Sequence, residues 1–425
     1  MNSFIARSIL IILFISCISC GPSITRQIKS SSSFEKGFTG IAVYDLEKDE
    51  MVYEYNSDKY FTPASNTKIL TFYTGLKYLE DSITAFKYNS SADTLYFTTT
   101  GDPSFLNDKF ENNNSLKFLS ETKKELVYVQ SNWQGTAQGS GWAWDDYEYS
   151  FSAERSAFPI FGNLVTLNYN NSSLKVIPEY FQDSIKIAQS GSGLTRKLDA
   201  NQFSLNTTKE NYSRSVPFRT SEKNSIAILS DILQKRVYVK YDRVLLSELY
   251  QTVNSISSDS LYKVMLHESD NLIAEQILLM SALKISDTLN TDIAISEVTE
   301  KDFKDLPDKI FWVDGSGLSR YNLITPRSLV QVLKKIIKTT GTEKLKSLLP
   351  TTGKEGTLKS FLANEDPFVF AKSGSLRNNY SLSGILVSNK GKTLLFSFMN
   401  SNYTITSGEL KAEMEKILVS IRNRY

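Results

Sequence analysis

The chain has very little cysteine and histidine. Its 425 residues include two cysteines, Cys17 and Cys20, and one histidine, His267. From Gly21 onward the chain can therefore form no disulfide, thiol nucleophile or zinc-thiolate site. A Ser-His-Asp triad would have to use His267. A helical serine two positions away, Ser269, faces away from it, so we interpret His267 as a structural residue.

An excess of charge of either sign is also lacking. The 48 Lys and Arg residues nearly balance the 46 Asp and Glu residues, the formal net charge is +2, and no long basic run occurs. Nucleic-acid-binding domains usually carry a basic face, so we expect no nucleic-acid partner. The 41% hydrophobic and 12% aromatic content is enough for two or three packed domains and excludes a disordered chain.

Residues 1–20 differ from the rest of the chain. An apolar run from Ile9 to Ile15 is followed by small residues and Cys20, which is typical of an export signal and too short for a membrane span. The small residues before Cys20 resemble a bacterial lipoprotein signal, with Cys17 as the alternative lipidation site and an ordinary cleaved signal as the alternative to lipidation. Residues 21–33, which are rich in serine, are typical of a flexible tether. We therefore predict an exported protein of the cell envelope or periplasm, anchored to a membrane by lipid.

The distribution of element types predicts the domain organisation. Strand patterns occur near both ends of the chain, at Gly40 to Tyr55 and Ser381 to Met399, and helical patterns lie between them. Residues 81–250 instead contain short alternating runs rich in Ser, Thr, Asn and Tyr, which indicates mostly β structure. We predict an α/β (α+β) domain made of residues 34–80 and 251–425, split by the inserted residues 81–250.

The stretch from Pro63 to Lys68 places Ser65 three residues before Lys68, where an apolar helical pattern begins. Both side chains then lie on one face of a helix. A serine hydroxyl is a poor nucleophile until a base accepts its proton, and a lysine can be that base only if burial or cationic neighbours lower its pKa. The same spacing recurs elsewhere, as at Ser33 and Lys36, so the pair alone is a weak indication of a catalytic site.

Two further motifs make that indication more specific. Ser269-Asp270-Asn271 opens a helical pattern, and Lys372-Ser373-Gly374, the one K-[ST]-G match in the sequence, ends a strand pattern. With Ser65 and Lys68 they complete the S-x-x-K, S-x-N and K-[ST]-G set of penicillin-binding proteins and serine β-lactamases, in the same order.

Other landmarks narrow the resemblance to one family. In chain order they are Gly101-Asp102-Pro103, Gly141-Trp142-Ala143-Trp144-Asp145-Asp146, Ala274-Glu275-Gln276, Asp314 to Arg320, and Gly356-Thr357-Leu358. From about Phe38 to Asn400 the chain resembles the D-alanyl-D-alanine carboxypeptidase/endopeptidase family of low-molecular-mass class C penicillin-binding proteins, peptidase family S13. Its members carry extra domains between the first two motifs, whereas β-lactamases do not. The resemblance implies a serine transpeptidase/β-lactamase-like catalytic domain.

The resemblance also implies roles for the first two motifs. Ser65 would attack the carbonyl of a D-Ala-D-Ala or D-amino acid cross-link bond, and Lys68 would take its proton. Ser269 would pass a proton to the leaving amine, and Asn271 would hold Lys68 and the substrate amide. The charge of Lys372 would help to lower the pKa of Lys68.

The third motif would bind the end of the substrate. Lys372 and the Ser373 hydroxyl would hold its carboxylate. Gly374 would let the substrate strand approach the sheet edge closely, and the N–H groups of Ser65 and Ser375 would form an oxyanion hole.

Asp146, Phe151 and Arg320 match positions that would line the stem-peptide side of the cleft. Ser373 replaces the commoner threonine but keeps the hydroxyl, and Arg377 adds a charge that would affect which third stem-peptide residue is preferred. The implied partners are peptidoglycan stem peptides, with β-lactam antibiotics as covalent inhibitors. No metal or organic cofactor is implied.

Two alternatives remain open on the sequence. A serine β-lactamase would share the three motifs and would need fast deacylation. A catalytically silent peptidoglycan-binding envelope protein would not need the motif residues, all of which are present.

Overall fold

The computed structural model describes residues 23–111, 114–170, 173–189, 193–207 and 209–425. The predicted signal, Cys17 and Cys20 lie outside the described residues. The described helices are α1 Ile24–Ser30, α2 Ser32–Glu35, α3 Lys68–Tyr78, α4 Asn114–Glu121, α5 Glu222–Leu233, α6 Arg243–Ser247, α7 Ser258–His267, α8 Asn271–Ser286, α9 Thr291–Lys301, α10 Pro326–Thr340, α11 Thr342–Leu348 and α12 Ser407–Arg424. The described strands are β1 Phe38–Asp45, β2 Glu50–Tyr55, β3 Ser82–Ser90, β4 Thr94–Thr99, β5 Glu125–Val129, β6 Leu164–Asn170, β7 Ser173–Ile177, β8 Ile185–Ile187, β9 Gly193–Arg196, β10 Phe203–Asn206, β11 Asn211–Pro217, β12 Val237–Lys240, β13 Gln251–Ser257, β14 Val369–Leu376, β15 Asn379–Val387 and β16 Thr393–Ser401.

The central sheet joins the two ends of the described chain. Its strand order is β14-β15-β16-β1-β2, and all neighbouring strands are antiparallel. In β1, Ala42 packs into the core on one face of the sheet and its neighbour Ile41 into the core on the other. Successive strand side chains point to opposite faces, so both faces of this sheet are buried.

Helices cover both faces of the central sheet. On one face, α3 and α7 to α11 enclose a core that includes Phe72, Ile277 and Leu333. On the other face, α12 packs with α1 and α2 in a second core. None of the described helices is both long enough and apolar enough to span a membrane.

The flexible tether predicted for residues 21–33 is wrong where the structure describes it. Ser23 caps α1 through its side chain, and Ile24 and Ile28 are each 2% exposed in the second core. A spacing of four residues puts both isoleucines on one helix face. A helix this short is not stable alone, and its packing against α12 supplies the stability that the serine-rich composition does not indicate.

The other three sheets lie between α3 and α7 in the chain. One has the strand order β12-β5-β4-β3-β13, and two three-stranded sheets have the orders β8-β10-β9 and β11-β6-β7. Strand β13 pairs with β3, so the predicted boundary at residue 250 is wrong by one strand. The side chains of β13 are exposed or half-buried, so its sequence lacks the apolar alternation that would identify it as a strand. Ser258 N–H donates to the Asp81 carbonyl over 2.9 Å, so the insertion ends beside its start.

Candidate active site

Ser65 and Lys68 lie at the start of α3, as predicted. A 3-10 turn, Ala64–Thr67, leads directly into the helix. Lys68 Nζ is 3.1 Å from Ser65 Oγ, 2.6 Å from Asn271 Oδ1 and 2.7 Å from the Ser316 carbonyl oxygen. The lysine is fully buried. Its ammonium is therefore held by three oxygens, one of them on the candidate nucleophile.

The buried position changes the basicity of Lys68. Burial lowers its pKa to about 8, although the charges of Asp314, Asp270 and Glu275 act in the opposite direction. Lys372 is also fully buried, and burial together with the charge of Lys68 holds the pKa of Lys372 well below its usual value. Desolvation is therefore the main cause of the lowered pKa of Lys68.

Asp314 organises the loop that places the Ser316 carbonyl on Lys68. This carboxylate is fully buried. It accepts hydrogen bonds of 2.7 to 3.0 Å from the Gly317 and Ser319 N–H groups and from the side chains of Asn322 and Trp142. In the sequence, Asp314 opens the family landmark Asp314 to Arg320 but has no predicted role of its own. The contacts give Asp314 a positioning role, since four donors fix its orientation.

The buried ion pair between Glu275 and Arg155 also holds the loop that contains Ser316. Glu275 Oε1 accepts the Ser316 N–H over 2.8 Å, and Glu275 Oε2 lies 3.4 Å from Arg155 Nη1. Both side chains are almost completely buried, and burial raises the pKa of Glu275. Sequence reasoning missed Arg155, because nothing in the local pattern marks a buried cation of the inserted segment.

The second motif begins α8 beside the two lysines. Ser269 has a left-handed backbone, with φ of 60°, and its Oγ accepts from Lys372 Nζ over 2.9 Å. Asp270 caps α8, and Asn271 Nδ2 donates to the Phe151 carbonyl over 2.8 Å. The turn thus connects both lysines: Ser269 contacts Lys372, and Asn271 contacts Lys68.

The third motif lies on β14, an edge strand of the central sheet. Ser373 Oγ donates to Thr357 Oγ1 over 2.7 Å. Ala371 N–H points away from β15 to the Pro350 carbonyl. By the two-residue repeat of a strand, the Ser375 N–H points toward the same outer edge. That orientation suits the oxyanion-hole donor that the resemblance implied.

Gly374 has a packing role that the sequence did not predict. A Cβ atom there would lie 2.6 Å from the Pro63 carbonyl oxygen and 2.8 Å from the Ser65 nitrogen. Asn66 Nδ2 also donates to the Lys372 carbonyl over 2.9 Å. The missing side chain therefore allows β14 to pack against the turn that carries Ser65. The predicted close approach of substrate at Gly374 stays a prediction.

Asp146, Phe151 and Arg320, which were expected to line the stem-peptide side of the cleft, differ in their contacts with the three motifs. Phe151 is half-exposed, and its backbone carbonyl accepts a hydrogen bond from Asn271 Nδ2. Arg320 Nη2 donates to the Arg377 carbonyl, just beyond β14, over 2.9 Å. Asp146 lies in the 3-10 turn Trp144–Glu148, where burial and the charge of Asp145 raise its pKa. Within the described residues, the Asp146 side chain makes no hydrogen bond to a motif residue.

His267 lies at the end of α7, with Nδ1 3.8 Å from Glu355 Oε2. Burial lowers its pKa. It forms no hydrogen bond with Ser65 in the described part of the chain, so Lys68 is the base in contact with that serine. Among the described residues, no group of three or more His, Cys, Asp or Glu side chains is arranged to hold a metal ion.

A cavity of about 620 Å³ opens beside the second motif. Its walls include Ser269, Asn271 and Phe151 on one side and residues of β6 and β11 on the other. The turn of the second motif, Ser269 to Asn271, is thus accessible from the side of the inserted segment.

Comparison with known proteins agrees with this geometry. The model of the D-Ala-D-Ala carboxypeptidase 3 (S13) family matches residues 23–425. The D-alanyl-D-alanine carboxypeptidase DacB of Haemophilus influenzae is 23% identical, over 91% of this chain and 90% of that protein. Penicillin-sensitive carboxypeptidase A of Dictyostelium discoideum is also 23% identical, over 92% of this chain and 88% of that protein.

Solved structures show the same fold. Penicillin-binding protein 4 (DacB) of H. influenzae has a TM-score of 0.74 at 21% identity, covering 94% of this chain and 98% of that one. The peptidoglycan endopeptidase Bd3459 of Bdellovibrio bacteriovorus has a TM-score of 0.54 at 13% identity, covering 92% and 93%. The predicted fold class and family are confirmed. The chain belongs to the D-Ala-D-Ala carboxypeptidase 3 (S13) family and is a serine D-Ala-D-Ala peptidase.

Proposed function

We propose that the protein hydrolyses D-Ala-D-Ala termini or D-amino acid cross-links of peptidoglycan stem peptides through an acyl-enzyme on Ser65. The observation that carries this proposal is the 3.1 Å contact between Ser65 Oγ and the buried Lys68 Nζ. A lysine whose burial lowers its pKa to about 8 is partly neutral near pH 7 and can accept a serine proton.

Acylation begins when Lys68 takes the Ser65 proton and Oγ attacks the carbonyl carbon. The negative charge that develops on the carbonyl oxygen is stabilised by the N–H groups of Ser65 and Ser375, each worth about 3 kcal/mol. The carbon–nitrogen bond then breaks, and the leaving amine takes a proton. Ser269 is the proposed relay, because its hydroxyl lies 2.9 Å from Lys372 Nζ beside the Lys68 site.

Lys372 and Ser373 are the proposed carboxylate subsite. In the free protein Lys372 has a strongly lowered pKa because of burial and Lys68. A substrate carboxylate would favour its protonated form and form a charge-assisted hydrogen bond. Asn271 is proposed to orient Lys68 and the substrate amide. Hydrolysis is completed when a water molecule, deprotonated by Lys68, attacks the acyl-enzyme and releases Ser65.

The test is D-alanine release from a synthetic pentapeptide by the protein without residues 1–20. We expect Ser65→Ala to abolish release while folding is unchanged by circular dichroism. Wild-type activity in that variant would overturn the assignment of Ser65. Products released from purified cross-linked peptidoglycan would measure the balance between carboxypeptidase and endopeptidase activity.

We propose that β-lactams acylate Ser65. The H. influenzae protein has been solved with a bound β-lactam, and Bd3459 has been solved acylated by penicillin G. Intact mass spectrometry should detect a penicilloyl adduct that persists for many turnover times and is missing in Ser65→Ala. Rapid loss of the adduct would instead favour a β-lactamase.

We propose that the unit made of residues 34–80 and the chain from Ser258 onward carries the catalysis, while residues 81–257 border the cleft. We also propose export to the cell envelope with lipidation at Cys20, or at Cys17, on the pattern of residues 1–20. Incorporation of a labelled fatty acid into wild type but not into Cys20→Ala would support Cys20. Unchanged labelling in that variant and none in Cys17→Ala would move the anchor to Cys17.

A further inference from the structure

The cavity beside the Ser269–Asn271 turn continues onto a polar sheet face of the inserted segment. We call this cavity, about 620 Å³ between residues 268–272 and strands β6 and β11, the side groove. Strand β6 alternates sharply: Val165 and Leu167 are completely buried, whereas Thr166 and Asn168 are half-exposed and line the groove. The apolar face of the strand supports the fold, and the polar face is presented to the groove.

The polar residues are paired across the two strands. Thr166 lies opposite Ser215 and Asn168 opposite Ser213 in the β6–β11 register. Thr166 Oγ1 is 2.8 Å from Ser215 Oγ, and Ser213 Oγ donates to Asn168 Oδ1 over 2.7 Å. Each hydroxyl is both a donor and an acceptor, and the Asn168 amide carries two N–H donors. The floor of the side groove is therefore an ordered array of neutral hydrogen-bonding groups.

The charges around the side groove are few and mostly paired. Lys109 lies on its wall and contacts Asp270 and Glu268 at 2.7 and 2.8 Å. Asp108 is exposed at the rim, and Lys175 lies opposite Asn168 on the outer strand β7. A carboxylate-rich ligand would be matched by arginines in forked geometry, which the groove floor lacks among its described residues.

Apolar surface completes the side groove. Leu106, Phe161 and Ile177 line it next to the hydroxyl array. Neutral polar groups beside apolar surface match a ligand that carries hydroxyls and amides on an apolar ring framework. A peptide strand would instead be expected to pair with a sheet edge, through its backbone, whereas the side groove presents the face of a sheet.

From this arrangement we infer that the side groove is a subsite for the amino-sugar chain of peptidoglycan. The inference rests on the proposed function, because it assigns the groove to the glycan part of the substrate cleaved at Ser65. The shared wall at Ser269 and Asn271 puts the glycan subsite next to the reacting peptide. Sugar-linked stem peptides would then bind better than free ones.

The test compares three substrates: a disaccharide-linked pentapeptide, the same pentapeptide without sugar, and a sugar-free cross-linked dimer peptide. We expect N168A/S213A to raise KM for the sugar-linked pentapeptide about tenfold, through loss of two or three hydrogen bonds, with kcat unchanged. KM for the free pentapeptide should stay the same. Ser213→Tyr, which fills the groove, should act in the same way. T195A/S204A, a cross-strand hydroxyl pair on β9 and β10, is the matched control.

Equal effects on sugar-linked and free pentapeptides would overturn the inference, and so would no effect on either. A selective loss with the dimer peptide would assign the groove to a second stem peptide and also overturn it. Failure of the wild-type protein to cleave any of the three would count against the proposed function instead, which keeps the two failures distinguishable.

Discussion

Lys109 of the inserted segment donates a hydrogen bond to Asp270 Oδ2 over 2.7 Å and lies 2.8 Å from Glu268 Oε2. These two carboxylates flank Ser269, whose backbone is left-handed. The inserted segment thus contacts the turn whose Ser269 and Asn271 side chains bind Lys372 and Lys68. The insertion therefore contacts the second motif through an ion pair, in addition to forming part of the cleft wall.

Lys109→Ala should lower kcat for a free pentapeptide on the order of tenfold, because small displacements of positioned groups are costly in catalysis. The ion pair is partly exposed, so its loss should change stability by only about 1 kcal/mol. Steady-state kinetics and urea unfolding measure the two effects. Lys117→Ala, which breaks the exposed Lys117–Glu121 pair, is the control and should change neither. A wild-type kcat for Lys109→Ala would show that the turn holds its shape without the lysine.

Arg155→Met should destabilise the protein by about 3 kcal/mol, because it leaves Glu275 buried without its cation. Arg155 and Glu275 are 5% and 0% exposed in their side chains. Urea unfolding gives the free energy difference. Lys284→Met, which removes the exposed Lys284–Glu80 pair, should cost less than about 1 kcal/mol. Similar losses in both variants would contradict a special contribution from the buried pair.

Gly374→Ala should reduce activity and destabilise the protein by about 1 to 3 kcal/mol, the usual range for overpacking. The new methyl group would press on the Pro63 carbonyl and the Ser65 nitrogen. The backbone there cannot move without displacing Ser65, the proposed nucleophile. Gly408→Ala is the matched control, since the nearest atom to its Cβ is Thr406 Oγ1 at 3.9 Å. If Gly374→Ala kept wild-type kcat and Tm, the close packing of β14 on the turn would not matter for function.

The sequence was sufficient to identify the residues of the three motifs. Ser65, Lys68, Ser269 and Lys372 each fall in a short motif, and short motifs are local patterns that one sequence can show. The contacts of Lys68 with Ser65 and Asn271 are as expected, whereas the contact between Ser269 and Lys372 was not predicted. The roles of these residues stay predictions. The family itself could be identified because its landmarks occur in order along most of the chain.

The supporting contacts could not be predicted, because they depend on tertiary packing. Ser316 contacts Lys68 through its backbone carbonyl, a group that any residue type would supply. Arg155 meets Glu275 only after the inserted segment has folded against α8. Helix α1 was missed for the same reason, since its stability comes from a core formed by the other end of the chain. Local patterns therefore predicted the reacting groups better than their surroundings.

The pH dependence of kcat/KM should report the titration of Lys68 in the free protein. Lys68 acts as a base only when neutral, and burial lowers its pKa to about 8. Activity should therefore rise about tenfold per pH unit below pH 8 and level off above it. Asn271→Asp places an anionic oxygen where Oδ1 now lies 2.6 Å from Nζ. This raises the pKa of Lys68 and should move the rise to higher pH. Asn271→Ala removes the contact without adding charge and is the control. A rise centred near pH 4 to 5 would indicate a carboxylate base, and an unmoved profile in a folded Asn271→Asp protein would contradict control of Lys68 by this contact.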